Sequence, residues 1–145
     1  MAGHSSTRLA QKLGIKPATM VVVINEPANY RKLLGQAVDG VEFSDRIGSD
    51  SSFIHFFTTQ RGELQKQLTR LRKNLSDTGT LWISWPKKSA RVPTDVTENV
   101  IRAVALPLGF VDVKVCAVDE TWSGLKLMVR RTNRKLPRTN EIAIP

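Results

Sequence analysis

Residues 20–24 read Met-Val-Val-Val-Ile and residues 53–57 read Phe-Ile-His-Phe-Phe. Neither stretch alternates apolar with polar side chains. Successive side chains of a strand point to opposite faces of its sheet, so a strand wetted on one face must alternate. A run that is apolar at nearly every position is a strand covered on both faces, the habit of parallel sheets between layers of helix. The one polar interruption, His55, is read as a core or half-buried histidine. No second histidine is spaced to join it in a metal site.

The intervening segments supply the helices such a sheet needs. Ser5-Ser6-Thr7 can cap a short helix through Leu13, with Gly14 as its stop. Asn29–Leu34 reads as a short helix ended by Gly35, and 41–44 as a weak strand. From Arg61 to Leu75 the leucines at 64, 68, 71 and 75 share one helical face, while Lys66, Arg70 and Lys73 lie on another. Asp77-Thr78-Gly79 is read as a turn into a strand over 80–85 that Pro86 ends. A helix follows over about 96–106. Two apolar stretches, 115–118 and 125–129, then flank the hexapeptide Asp119–Gly124, and so short a connection requires an antiparallel pair. Strands alternating with helices imply a mostly parallel sheet with helices on both faces. The expected fold is α/β: a Rossmann-like three-layer sandwich with a mostly parallel sheet of about six strands and a C-terminal antiparallel hairpin. Residues 1–131 are expected to form one domain, and 132–145 a basic, flexible tail.

A chain of 145 residues is long enough to bury a core without disulfides or metals. Its single cysteine, Cys116, allows no internal disulfide and fits a reducing compartment. It is read as a small core side chain. No stretch has the length of a membrane span or the pattern of a signal peptide, so the expected location is the cytoplasm. The net charge is +9, and residues 130–145 hold five basic side chains against one acid. Such a tail would be attracted to nucleic acid without reading its sequence, or would serve only solubility.

In open α/β sheets, ligands bind beyond the carboxyl ends of the parallel strands. The polar clusters of this chain follow those ends: Asn25-Glu26-Pro27, Thr58-Thr59-Gln60, Trp85-Pro86-Lys87-Lys88 with the loop to Asp95 and Glu98, and Asp119-Glu120-Thr121-Trp122. The expected ligand site is Trp85, Lys87, Lys88, Asp95, Glu98, Asp119, Glu120 and Trp122. Lysines would hold an anion, a tryptophan would stack, and the carboxylates would accept hydrogen bonds. Each has a plainer role. Asp95-x-x-Glu98 has capping-box spacing. Lys87 and Lys88 could be solvated, or paired with Asp119 and Glu120. Trp122 could fold back as a lid on the local core. No catalytic residue, metal or cofactor is assigned from these patterns. There is no G-x-S-x-G elbow and no G-x-x-x-x-G-K-[ST] loop.

The segments LAQKLGIKP, LWISWPKK and TDVTENVIRAVALPLGFVDVKVCAVDETWSGLKLMVRR resemble a bacterial family of small proteins catalogued as a domain of unknown function, over roughly Leu9–Arg131. That resemblance implies one compact domain and brings no catalytic residue. More distantly, Gly79–Arg131 is similar to the late strands of class I S-adenosylmethionine-dependent methyltransferases: a glycine-led strand, a helix and a reversed final hairpin. That likeness implies a glycine-rich turn after the first strand and an acid after the second for the ribose hydroxyls. Asp45 stands where the acid is expected, while the first turn, INEPANY, has no glycine. The favoured expectation is a non-catalytic module binding a nucleotide, a phosphorylated metabolite or a protein partner at the carboxyl edge. The alternatives are a diverged methyltransferase-like enzyme and a nucleic-acid-binding protein.

Overall fold

The computed structural model describes residues 9–35 and 40–134. Six strands form one sheet: β1 (Met20–Ile24), β2 (Glu42–Ser44), β3 (Ser51–Phe57), β4 (Leu75–Pro86), β5 (Phe110–Ala117) and β6 (Trp122–Val129). Their order is β2-β1-β3-β4-β6-β5. The first four are mutually parallel, and β6 runs antiparallel to both β4 and β5. The expected architecture, including the reversed final hairpin, is the one observed.

The unbroken apolar runs have the expected cause. On one face, Val22, Ile54 and Phe56 pack under α2 (Arg61–Asn74) and α3 (Glu98–Ala105), against Leu64, Leu68, Leu71 and Ile101. On the other face, Val21, Val23, Phe53 and Phe57 lie under α1 (Tyr30–Leu34) and helical residues 9–13. The leucine stripe of α2 is fully buried, and each such side chain contributes roughly 1.5–3 kcal/mol of transfer free energy. The cap expected at Ser5–Thr7 lies outside the described residues. The tail beyond Arg134 does too. Before it, Arg131–Asn133 make one 3-10 turn, and Arg134 Nε donates to the Val129 carbonyl at 3.2 Å.

Three local expectations are corrected. Asp77-Thr78-Gly79 is not a turn: α2 passes directly into β4 at Leu75, and Gly79 lies inside the strand. A Cβ there would stand 2.9 Å from Leu75 Cδ1 and 3.0 Å from the Ser51 carbonyl oxygen, so the glycine permits a close approach. The hexapeptide is not all turn either. Trp122, Ser123 and Gly124 already belong to β6, paired with Pro86, Trp85 and Ser84. Finally, α3 starts at Glu98 with Thr97 as its cap. Thr97 Oγ1 accepts from the Val100 amide at 3.2 Å, so Asp95-x-x-Glu98 is not a capping box.

The connection from β2 to β3 is only residues 45–50 and contains no helix. It must pass from one side of β1 to the other, because β1 separates the two strands. Ile47 from this connection packs against the α2/α3 core. The chain therefore leaves β1 for β2 on one side and returns to β3 on the other. The crevice between β1 and β3 is the topological switch point, the usual ligand position of open α/β sheets.

Candidate functional site

At the switch point, the turn after β1 is made by Asn25, with φ +60°. Among L-residues asparagine is one of the few that enter this left-handed region readily. The backbone bend that a glycine would supply is therefore present without one. The Asn25 carboxamide then reaches across the crevice. Its Nδ2 donates to the Phe57 carbonyl at the end of β3 and to Glu63 Oε2 on α2, each at 2.9 Å. The other Glu63 oxygen accepts from Thr58 Oγ1 at 2.6 Å. Next to this, Asp45 follows β2 and is exposed, with no hydrogen bond or ion pair among the described residues. A local turn holds it, in which the Arg46 amide donates to Ser44 Oγ at 3.1 Å.

The eight residues expected to form one site are divided by the sheet. Trp85 is 8% exposed and belongs to the α2/α3 core beside Val96, so it does not face a ligand with Trp122. Asp95 lies on the same side and is structural. Its Oδ1 accepts from the Arg61 amide at 2.7 Å, capping α2 from a distant loop. Glu98 pairs with Arg102, whose Nε also donates to Asp112 at 2.8 Å. That hydrogen bond holds the Asp112 carboxyl below its ordinary range. Lys88 starts an exposed 3-10 turn.

Lys87, Asp119, Glu120 and Trp122 gather near the other face. The Lys87 amide donates to the Thr121 carbonyl at 2.8 Å, pinning the hairpin to the end of β4. Asp119 Oδ1 accepts from the Thr121 and Trp122 amides, both at 2.8 Å, so this carboxylate builds the turn it stands in. Trp122 packs edge-on against Phe57, centroids 5.1 Å apart, as a lid on the α1-side core. A cleft of about 400 Å³ opens between Leu9, Lys12, Lys87 and the turn. A second, of about 570 Å³, lies between Leu9, Asn29, Leu33 and the same turn. Lys12, Lys87 and Glu120 form no ion pair among the described residues, so the lysines are not matched to the turn carboxylates. Leu9, Lys12 and Asn29 were absent from the expected site. The helical spacing of the first residues could be read, but nothing in the sequence says that this helix docks beside the hairpin turn.

His55 is fully buried and fully partnered. Its Nδ1 is 2.8 Å from Tyr30 Oη and its Nε2 is 2.7 Å from Ser84 Oγ, and its ring stacks on Phe57. Burial pushes its pKa down to about 3, so the ring is neutral, with one nitrogen donating and the other accepting. Burial likewise pushes the Tyr30 phenol and the Cys116 thiol up. Among the described residues, no three His, Cys, Asp or Glu side chains come together as a metal site, and no helix is long and apolar enough to cross a membrane.

No protein-family model and no curated protein matches the sequence. The resemblance to a small bacterial family expected from the quoted motifs therefore finds no support in these two comparisons. The fold, in contrast, has many counterparts among solved structures. A candidate type 11 methyltransferase from Sulfolobus solfataricus superposes with TM-score 0.61 at 15% identity, over 88% of this chain and 93% of that one. A SAM-dependent methyltransferase from Aquifex aeolicus gives 0.61 at 17% identity, over 86% and 89%. The 1,6-didemethyltoxoflavin-N1-methyltransferase of Burkholderia thailandensis, solved with S-adenosylhomocysteine, gives 0.52 at 15%, over 88% and 77%. At these identities the likeness is one of fold. All three of these are methyltransferases, one described as SAM-dependent and one solved with S-adenosylhomocysteine.

Proposed function

We propose that this protein is a diverged, methyltransferase-like protein that takes S-adenosylmethionine, or a ligand of the same adenosyl class, over the carboxyl ends of β1 and β2. One observation carries the reading: the sheet order β2-β1-β3-β4-β6-β5 with a reversed β6, in a fold matched to methyltransferases, one of them SAM-dependent, along most of this chain and most of theirs. This favours the methyltransferase-like alternative over the non-catalytic module expected from the sequence.

The residues at the switch point meet the needs of such a ligand in two respects. The first turn has the left-handed bend at Asn25, and Asp45 offers a free carboxylate after β2 for a pair of ribose hydroxyls. The Asn25 side chain fits the ligand only after turning out of the crevice. Asn25 is exposed, so its two acceptors would be left near water rather than orphaned. Isothermal titration with S-adenosylmethionine and S-adenosylhomocysteine tests the reading. Binding that weakens about tenfold or more in Asp45→Ala is the expected result, in the range for removing a hydrogen bond to a charged group. The absence of heat with either compound, in the wild type and in Asn25→Gly alike, sinks it.

A second reading is favoured by the clefts beside the hairpin turn. Lys12 and Lys87 would hold a small anion there, close to Asp119 and Glu120, which line the same clefts. Thermal midpoints measured with nucleotides and sugar phosphates test it. A shift lost in Lys87→Ala but kept in Asp45→Ala assigns the ligand to this cleft.

A further inference from the structure

We infer that the Asn25 carboxamide is a built-in plug, standing in the crevice for the amine or ammonium group of the ligand that belongs there. The inference rests on the adenosyl-ligand reading above and names one group of that ligand. Two acceptors converge on a single nitrogen: the Phe57 carbonyl and Glu63 Oε2, each 2.9 Å from Asn25 Nδ2. One is the last backbone carbonyl of β3 and the other is a carboxylate. Together they form a subsite for a donor with at least two hydrogens and, by preference, a positive charge. The remaining oxygen of Glu63 is held by Thr58, which is 2% exposed, so the carboxylate is kept aimed at the crevice whether or not Asn25 is present.

The backbone gives the plug its place. At φ +60° the residue after β1 projects from the left-handed region, and Asn25 follows Ile24, the last residue of β1, which is paired with Phe56. A glycine at this position would hold the same bend and leave the subsite open. Asparagine holds the bend and fills the subsite. The apparent affinity for a ligand is then reduced by the fraction of molecules in which the plug is withdrawn. Losing one hydrogen bond to a neutral carbonyl and one to a carboxylate sets that penalty at about thirtyfold to a thousandfold.

The test is titration of S-adenosylhomocysteine, which carries a free amino group, into the wild type, Asn25→Gly and Asn25→Asp. Both variants tolerate the left-handed bend. The aspartate is also driven off Glu63 by like charge. Circular dichroism confirms that each is folded. Both are expected to bind about tenfold or more tightly than the wild type. The Asn25 side-chain amide signal of the wild type is expected to move on ligand addition. Equal affinity across the three proteins, or an Asn25 signal that stays in place in the bound wild type, overturns the plug and leaves the adenosyl reading standing. No binding by any of the three overturns both.

Discussion

His55 shows at the scale of one residue how burial fixes chemistry. The sequence marks it as the odd polar side chain in a core strand, and the structure places it between Tyr30 and Ser84 with both ring nitrogens partnered. With its pKa pushed down to about 3 from 6.5, it stays neutral in the fold while the unfolded chain takes up a proton below about pH 6.5. Its contribution to stability is therefore whole above that pH and is lost progressively as pH falls toward 3. The ring carbon signals of His55 are expected to show no titration between pH 5 and 8. A midpoint near 6.5 in the folded protein contradicts a buried, fully partnered ring. Replacement by phenylalanine orphans Tyr30 Oη and Ser84 Oγ and should cost about 2–4 kcal/mol in a denaturant melt. At the hairpin, Asp119→Ala removes the acceptor for two backbone amides and should destabilise by about 1–2 kcal/mol, with Asp119→Asn close to neutral. Equal losses in both variants would show that charge, rather than the turn geometry, is what Asp119 supplies.

Elements are tied together at their ends. Gln60 begins α2 without a side-chain cap of its own, and Asp95 supplies one from the loop before α3. The pattern Asp95-x-x-Glu98 reads in sequence as the cap of α3, a local rule, whereas the carboxylate serves the neighbouring helix through a contact across 34 positions. Asp95→Ala is expected to cost about 1 kcal/mol and to speed hydrogen exchange at the Arg61 amide. Thr97→Ala should cost a similar amount and act on Val100 instead. If Asp95→Ala loosens the first turn of α3 and leaves Arg61 protected, the assignment is reversed. Gly79→Ala belongs at this scale too, because it tests the contact between the start of β4 and the β3 backbone. The added methyl meets backbone carbonyls that cannot give way easily, and a loss of about 1–3 kcal/mol is expected.

For the whole molecule, a ligand that binds only the folded state raises the melting temperature by mass action. At about 100 times its dissociation constant it adds roughly 2.7 kcal/mol, a shift on the order of 5–10 °C for a domain of this size. S-adenosylhomocysteine is expected to produce such a shift in Asn25→Gly at a lower concentration than in the wild type. The same shift, unaffected by Asp45→Ala and removed by Lys87→Ala, would move the ligand from the switch point to the clefts beside the hairpin. The two sites lie at one edge of one sheet, but β1 and β3 present the first while the β5–β6 turn and residues 9–13 present the second.

Local patterns by themselves determined the layered α/β fold, the reversed hairpin and most strand positions. Those features follow from periodicity and from hard limits on turns: an unbroken apolar run must be covered on both faces, and a short connection must join antiparallel strands. The same patterns located the polar clusters at the carboxyl edge, because a parallel sheet puts its loops there. Only the tertiary structure decided which side of the sheet each cluster faces. That choice put Trp85 and Trp122 in different cores, gave Asp95 to α2 and set Lys12 and Lys87 on the walls of one cleft. It also decided that Asn25 fills the crevice it borders. A residue type reports what a side chain can donate or accept, while its partner is set by the fold's long-range contacts, which leave no spacing in the sequence to read.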